Sequence, residues 1–370
     1  MIRSRLPALV ALVVLACGGR RAYAPSPGPY DRIGATGLEL MSDACRRLAV
    51  GDLDGAESLL FELLELQPRY MNAAILLQEL ELERLQRAGS SLERARRELA
   101  ERALEFAERH AEEHERLIAW LLHARLAPDR ETATPSLDRA AAIDPRNVWV
   151  AYGRAWWAYH DRDFKTARER VREAFAIDGG HLETLRLHAR LEAGGGQTKQ
   201  AIDALRTWIA RASQRPSVTP ERIAAAEIDL AALLVTEEQP DEALELLATL
   251  DVAALPDRER ARAELVRAAA FEGAELDRLA LRSAERAGRL DRENLLPYVH
   301  RAMLLDISDP DAAEETWREL LELAERQRRT ADTDEERGFQ PLLLELRARY
   351  EVALAERRRA ERESESNLTR

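Results

Sequence analysis

Three groups of residues have the types and spacing to do chemistry. His110, Glu113 and His114 spell H-x-x-E-H, in which two histidines one helical turn apart can hold a zinc ion while the glutamate activates water on it. The surrounding segment carries Glu105, Glu108, Glu112, Glu113 and Glu115, so a carboxylate at the required place arises easily, and the expected role is a solvated helix face. Gly194, Gly195 and Gly196 precede Lys199, but a phosphate-cradling loop needs Gly, Lys and then Ser or Thr. Here Thr198 comes before the lysine and Gln200 after it, so the glycines read as a turn between helices that supplies positive φ. The third group is aromatic: Trp149, Tyr152, Trp156 and Tyr159 recur at i, i+3, i+7 and i+10, one face of a helix. Rigid rings on one face suit the grip of a polypeptide partner. No Ser/His/Asp order and no carboxylate pair in an apolar setting stands out. The expectation is a non-catalytic chain with no metal, cofactor or small-molecule substrate.

The elements that must position these groups follow from a period. Ala133, Ala167 and Ala201 stand 34 residues apart (167 − 133 and 201 − 167), the length of a helix-turn-helix repeat. Leu121, Ala155 and Ala189 recur twelve residues upstream, and Leu137, Val171 and Leu205 four downstream. Ala140, Ala174 and Trp208 follow seven downstream. Small residues at such places let helices approach closely, so the expected fold is all-α, a right-handed α-solenoid of stacked antiparallel helix pairs.

These spacings resemble the tetratricopeptide repeat, whose consensus has small residues at repeat positions 8, 20 and 27 and proline at 32. Ala155, Ala167 and Ala174 fill the first three, and Pro68 and Pro145 match the last. The likeness is strongest over 114–215 and 224–256, and 69–113 depart from it with longer helices. In the ungapped register Trp149, Tyr152, Trp156 and Tyr159 fall at positions 2, 5, 9 and 12. The resemblance implies that these line a concave peptide-binding groove, with Arg125 in the preceding repeat and Glu183, Arg186 and Arg190 in the following one. Trp149, Tyr152, Gly153 and Trp156 also fit W-x-x-L-G-x-x-Y if the turn to Ala167 is two residues longer, which would make them core. Both registers stay open. The clamp residues of cytosolic co-chaperones are absent, since Trp149, Tyr152 and Trp156 occupy those positions.

Composition bounds the partner. Charged residues make up 33% and aromatics 5%, and the formal net charge of −12 lacks the electrostatic footprint of a nucleic-acid binder. Arg3 and Arg5 precede an apolar run, Leu6 to Ala16, that ends at Cys17. An eleven-residue run is too short for a permanent bilayer helix, which needs about twenty; it reads as an export signal. Val14-Leu15-Ala16-Cys17 resembles the lipobox of bacterial lipoproteins, which implies lipidation of Cys17. Gly18 lacks the Asp of an inner-membrane retention signal, which favours the outer membrane facing the periplasm; ordinary secretion or a free periplasmic protein is the alternative. The organisation reads as signal 1–17, Gly/Pro-rich tether 18–36, repeats 37–330, and capping helix with charged tail 331–370. Cys45 remains as a lone thiol on the first repeat helix, expected to pack like an alanine. The functional expectation is a lipid-anchored scaffold that binds a polypeptide and helps assemble or localise an envelope complex. Its rivals are a metal-dependent hydrolase at His110, Glu113 and His114 and a soluble cytosolic co-chaperone.

Overall fold

The computed structural model describes residues 34–109, 113–215 and 218–330, with a few positions between 348 and 359. The signal segment, Cys17, most of the tether, His110 and most of the capping segment lie outside the described residues. Contacts cluster into two compact units, divided between Glu227 and Ile228.

The first unit contains α1 (Ala35–Ala49), α2 (Leu53–Leu66), α3 (Met71–Arg87), α4 (Leu92–Arg109), α5 (Glu113–Leu126), α6 (Arg130–Ile143), α7 (Val148–His160), α8 (Phe164–Ile177), α9 (Leu182–Gly194) and α10 (Thr198–Ala212). It also takes in the opening turns of α11 (Pro220–Thr236). The period is visible in the helix starts: α6, α8 and α10 begin at 130, 164 and 198, and α7 and α9 at 148 and 182, each step 34 residues. Pairs α1–α2, α5–α6, α7–α8 and α9–α10 pack face to face across short turns. The odd-numbered helices then lie beside one another, α3 by α5, α5 by α7 and α7 by α9.

Local chemistry sets these boundaries. Asp52, Asp129 and Asp163 cap α2, α6 and α8, each accepting a hydrogen bond from the backbone N–H three residues on, at 3.0, 2.8 and 3.1 Å. Burying no competing group, these caps tie up donors that the first turn of a helix leaves unmet. The turns ahead of α2, α8 and α10 pass through the left-handed region at Gly51, Arg162 and Gly196, with φ of 80°, 60° and 74°. Only Gly196 of the three consecutive glycines has positive φ. A Cβ at Gly195 would meet the Leu191 carbonyl at 3.2 Å and the movable end of the Arg168 side chain.

The small residues of the repeat are the contact points. Ala133, Ala155, Ala167, Ala174 and Ala201 are all fully buried. The stretch that departs from the pattern has the longer helices, α3 of 17 residues and α4 of 18, and α4 packs chiefly against the following α5. Cys45 is buried among Met41, Ala44 and Leu60, and burial pushes its thiol up to about 11.

The second unit continues from Ile228 with the remainder of α11, α12 (Pro240–Thr249), a short 3₁₀ turn (Val252–Ala254), α13 (Asp257–Gly273), α14 (Asp277–Leu290), α15 (Leu296–Ser308) and α16 (Pro310–Thr330). α13–α14 and α15–α16 pack as pairs. Ala243, Ala280 and Ala313 are buried where the small residues of the repeat belong, and Trp317 fills the last core with Leu320 and Ala324. Among the described residues no helix is long and apolar enough to cross a membrane.

Polar and ionic side-chain pairs, buried or partly buried, join alternate helices within each unit. In the first, Arg125 of α5 reaches Glu79 and Gln78 of α3, and Arg222 of α11 reaches Glu183 of α9 at 2.8 Å. In the second, Arg262 of α13 pairs with Asp229, and His300 of α15 meets Glu272 of α13 at 2.7 Å. Such pairs add little net stability, because desolvation offsets the attraction, but mispairing them leaves a buried charge unmatched.

Candidate functional site

At α7 the contacts to neighbouring helices are aromatic. The helix begins at Val148 because Asn147 caps it, its side-chain oxygen accepting from the Trp149 N–H at 3.0 Å. From that start, the repeat spacing sends Trp149, Tyr152, Trp156 and Tyr159 down one side. Trp157, the residue after Trp156, is buried and donates its indole N–H to the Ala124 carbonyl of α5 at 2.9 Å.

The four aromatics of the stripe divide by depth. Trp149 and Tyr152 are 4% and 7% exposed. His181, in the cap position of α9, covers both, with ring centroids 4.6 Å from Trp149 and 5.6 Å from Tyr152. Trp156 and Tyr159 are only partly buried, and beside them His160 and Phe164 are exposed. Tyr152 to Trp156 and Trp156 to Tyr159 repeat one geometry, 6.4 Å between centroids at 32°, and Phe164 follows Tyr159 at 6.0 Å. The helix starts place these residues in the ungapped register, yet the first two rings are enclosed all the same.

Trp156 borders a small apolar cleft of about 40 Å³. Met71 and Ile75 of α3, Leu121 of α5 and Leu137 of α6 line it, and Gly153 keeps it passable, since a Cβ there would meet Leu137 Cδ2 at 2.8 Å. Arg125 stands at its edge, held by α3. The cleft therefore has aliphatic walls, an aromatic rim and one fixed cation.

Glu183, Arg186 and Arg190 are not part of this cleft. Glu183 is buried and engaged by Arg222, while Arg186 lies over the Trp208 ring at 5.6 Å, as does Arg222 at 5.5 Å. Arg190 is partly exposed on α9. Sequence reasoning did not single out Trp157, Phe164, His181 or Arg222. Trp157 and Phe164 carried a signal, an aromatic next to the stripe and one at the following helix start, whereas nothing local marks Arg222 as the partner of Glu183.

His181 makes the local electrostatics pH-dependent. Its Nδ1 accepts from the Thr184 N–H at 3.3 Å, which caps α9. Burial pushes its pKa below the usual 6.5, with Arg215 and Arg222 in the same direction and Glu183 and Asp178 against it. The neutral ring therefore contributes stability in full above the unfolded value, near 6.5, and this is lost as pH falls from there towards the folded value. Asn147 occupies the equivalent cap 34 residues earlier (181 − 147). Replacing His181→Asn should keep a cap and flatten the fall of melting temperature as pH drops below about 6.5. A variant whose pH profile matches the parent's would exclude His181 as the source.

Of the metal motif, Glu113 opens α5 as an exposed residue, His114 follows it, and His110 lies outside the described residues. Among the described residues no three His, Cys, Asp or Glu side chains gather as a metal site would require.

No family model matches the sequence. No curated protein matches it either. Among solved structures, a chain of the APC/C hetero-tetramer Cut9–Hcn1 is similar with a TM-score of 0.54 and 14% identity, over 77% of this chain and 51% of that one. This chain thus spans about half the length of that structure. PilF of Pseudomonas aeruginosa is similar at 17% identity over 62% of this chain and 93% of its own, with a TM-score of 0.44. YrrB, a TPR protein with an unusual peptide-binding site, is similar at 18% identity over 54% and 95%, with a TM-score of 0.40. At such identities the likeness is one of fold. With the 34-residue helix spacing, the fold is all-α and tetratricopeptide-like, a stack of helix pairs.

Proposed function

We propose that this chain is a non-catalytic scaffold that binds a polypeptide partner on the odd-helix face at α7. The observation that carries the reading is the half-exposed aromatic row of Trp156, Tyr159 and Phe164 beside an apolar cleft. Rings that could have been enclosed like Trp149 are left facing solvent, at a cost that a partner's cover would remove. Stacked helix pairs offer broad surfaces and little preorganised acid-base chemistry, which supports binding over catalysis.

The same reading places the chain in the bacterial envelope, held by a lipid on Cys17 at the outer membrane and facing the periplasm, where it supports assembly or localisation of an envelope complex. The support is the Arg3/Arg5 start, the apolar run to Ala16 and the cysteine that ends it. Cys17→Ser should release the protein from the membrane fraction, and a variant still carrying N-terminal lipid would end that part of the proposal.

A photo-crosslinking residue at Tyr159, compared with one at exposed Glu169 on α8, tests the binding face in living cells. One discrete adduct with a second protein from position 159, absent from 169, is the expected result. Equal labelling from both positions, or none from 159, would refute a binding face at α7.

A further inference from the structure

Resting on the binding face proposed above, we infer that His181 is an acid-released cover over part of it. On taking a proton its ring leaves the start of α9, and Trp149 and Tyr152 join Trp156 and Tyr159 on the open row. Along the odd-numbered helices, fixed side-chain pairs join α5 to α3 through Arg125 and Glu79, and α11 to α9 through Arg222 and Glu183. Between α7 and α9 stands the His181 ring, fully buried, with its centroid 4.6 Å from Trp149 and 5.6 Å from Tyr152.

The ring cannot keep this place once charged. Its Nδ1 must be bare to accept from the Thr184 N–H at 3.3 Å, and a protonated imidazole is a donor at both nitrogens. A cation there also faces the positive end of the α9 dipole. On α9 itself, Glu183 Oε2 lies 3.7 Å from His181 Nε2, but Arg222 of α11 holds the Glu183 carboxylate at 2.8 Å. In the turn before α9, Asp178 accepts from the Gly180 N–H at 2.8 Å. Arg215 follows α10, and Arg211 of α10 is tied to the Gly179 carbonyl at 2.6 Å. α7 presents the uncharged rings of Trp149 and Tyr152. Glu183 and Asp178 are thus offset by Arg215 and Arg222, so burial decides and holds the enclosed ring below the usual 6.5. A ring released to water titrates near 6.5, so acid favours the open form, by about tenfold for each unit between the two values. The caps of α6 and α8 do not share this response. Hydrogen bonds from Thr132 and Thr166 hold Asp129 and Asp163 below the usual carboxylate range, so both stay charged where His181 titrates.

The test follows the full chain, in detergent and without a partner, from about pH 7.5 downwards. Hydrogen exchange read by mass spectrometry, corrected for its intrinsic pH dependence, should show the first turn of α9 losing protection about tenfold below about pH 6.5. The first turns of α6 and α8 should keep theirs, with helicity by circular dichroism intact. Acrylamide quenching of tryptophan fluorescence should rise over the same range, and Trp149→Phe should remove that rise. His181→Asn keeps a cap and lacks the covering ring, so its quenching should be high and independent of pH. The exchange measurement uses the unsubstituted chain and decides even where a variant fails to fold. Protection of α9 that persists until global unfolding, equal loss at α6 and α8, or an acid response retained in His181→Asn would each overturn the inference. The crosslink from position 159 is independent of these readings. A discrete adduct without acid opening would leave the binding face standing and remove only the cover, whereas opening without an adduct would keep the cover and remove the binding face.

Discussion

Replacing Ala167→Glu should unfold the α7–α8 region and lower the melting temperature by ten degrees or more. Ala167 is fully buried, as are Ala155 on the facing helix and Ala174 two turns on. A carboxylate placed there would be buried in an apolar cluster with Ala155, Val171 and Ala174. Burying an unpaired charge and overpacking a close helix contact together cost on the order of 4–5 kcal/mol. For a unit of this size about 1 kcal/mol moves the midpoint by ~2–4 °C, which sets the expected scale. Lys165→Ala, two residues earlier and exposed, should change stability by no more than about 0.5 kcal/mol. Equal melting of the two variants would contradict the repeat register itself.

The second large effect is a contrast between tryptophans seven residues apart on one helix (156 − 149). Trp149→Ala should cost about 3–5 kcal/mol of stability, because a ring 4% exposed leaves a cavity under His181. Trp156→Ala should cost much less stability, since the ring is partly solvated, but should weaken partner binding by about 2 kcal/mol, roughly 30-fold. Thermal melts of the two purified variants separate these roles before any partner is identified. If both lose equal stability, Trp156 is a core residue and the binding face proposed for α7 loses its anchor.

The fold was legible because its determinants are local and repeated. Ala133, Ala167 and Ala201 announce the contact points, and Pro68 and Pro145 fall just past the ends of α2 and α6. The candidate site was legible only in part, for a physical reason. A stripe at helical spacing says which residues share a face, and says nothing of what the next helix places over that face. His181 encloses Trp149 and Tyr152 and stops short of Trp156, and that limit depends on where α9 starts relative to α7. Glu183 took a groove position by register, yet Arg222, 39 residues away in the chain, claims it for the core. Long-range pairing of this kind leaves no mark in the periodicity.

Trp156, Tyr159, His160 and Phe164 all fall between the start of α7 and the first residue of α8, inside one 34-residue interval from Val148 to His181. The ends of that interval are interchangeable at the chain level, because Asn147 and His181 each cap the helix that follows. Excising the interval would join Asn147 to Leu182, a cap to a helix start, with no helix cut. The aromatic row is thus carried as a cassette: gene duplication or loss of one unit could multiply or erase it, while the helix joints on either side keep their form.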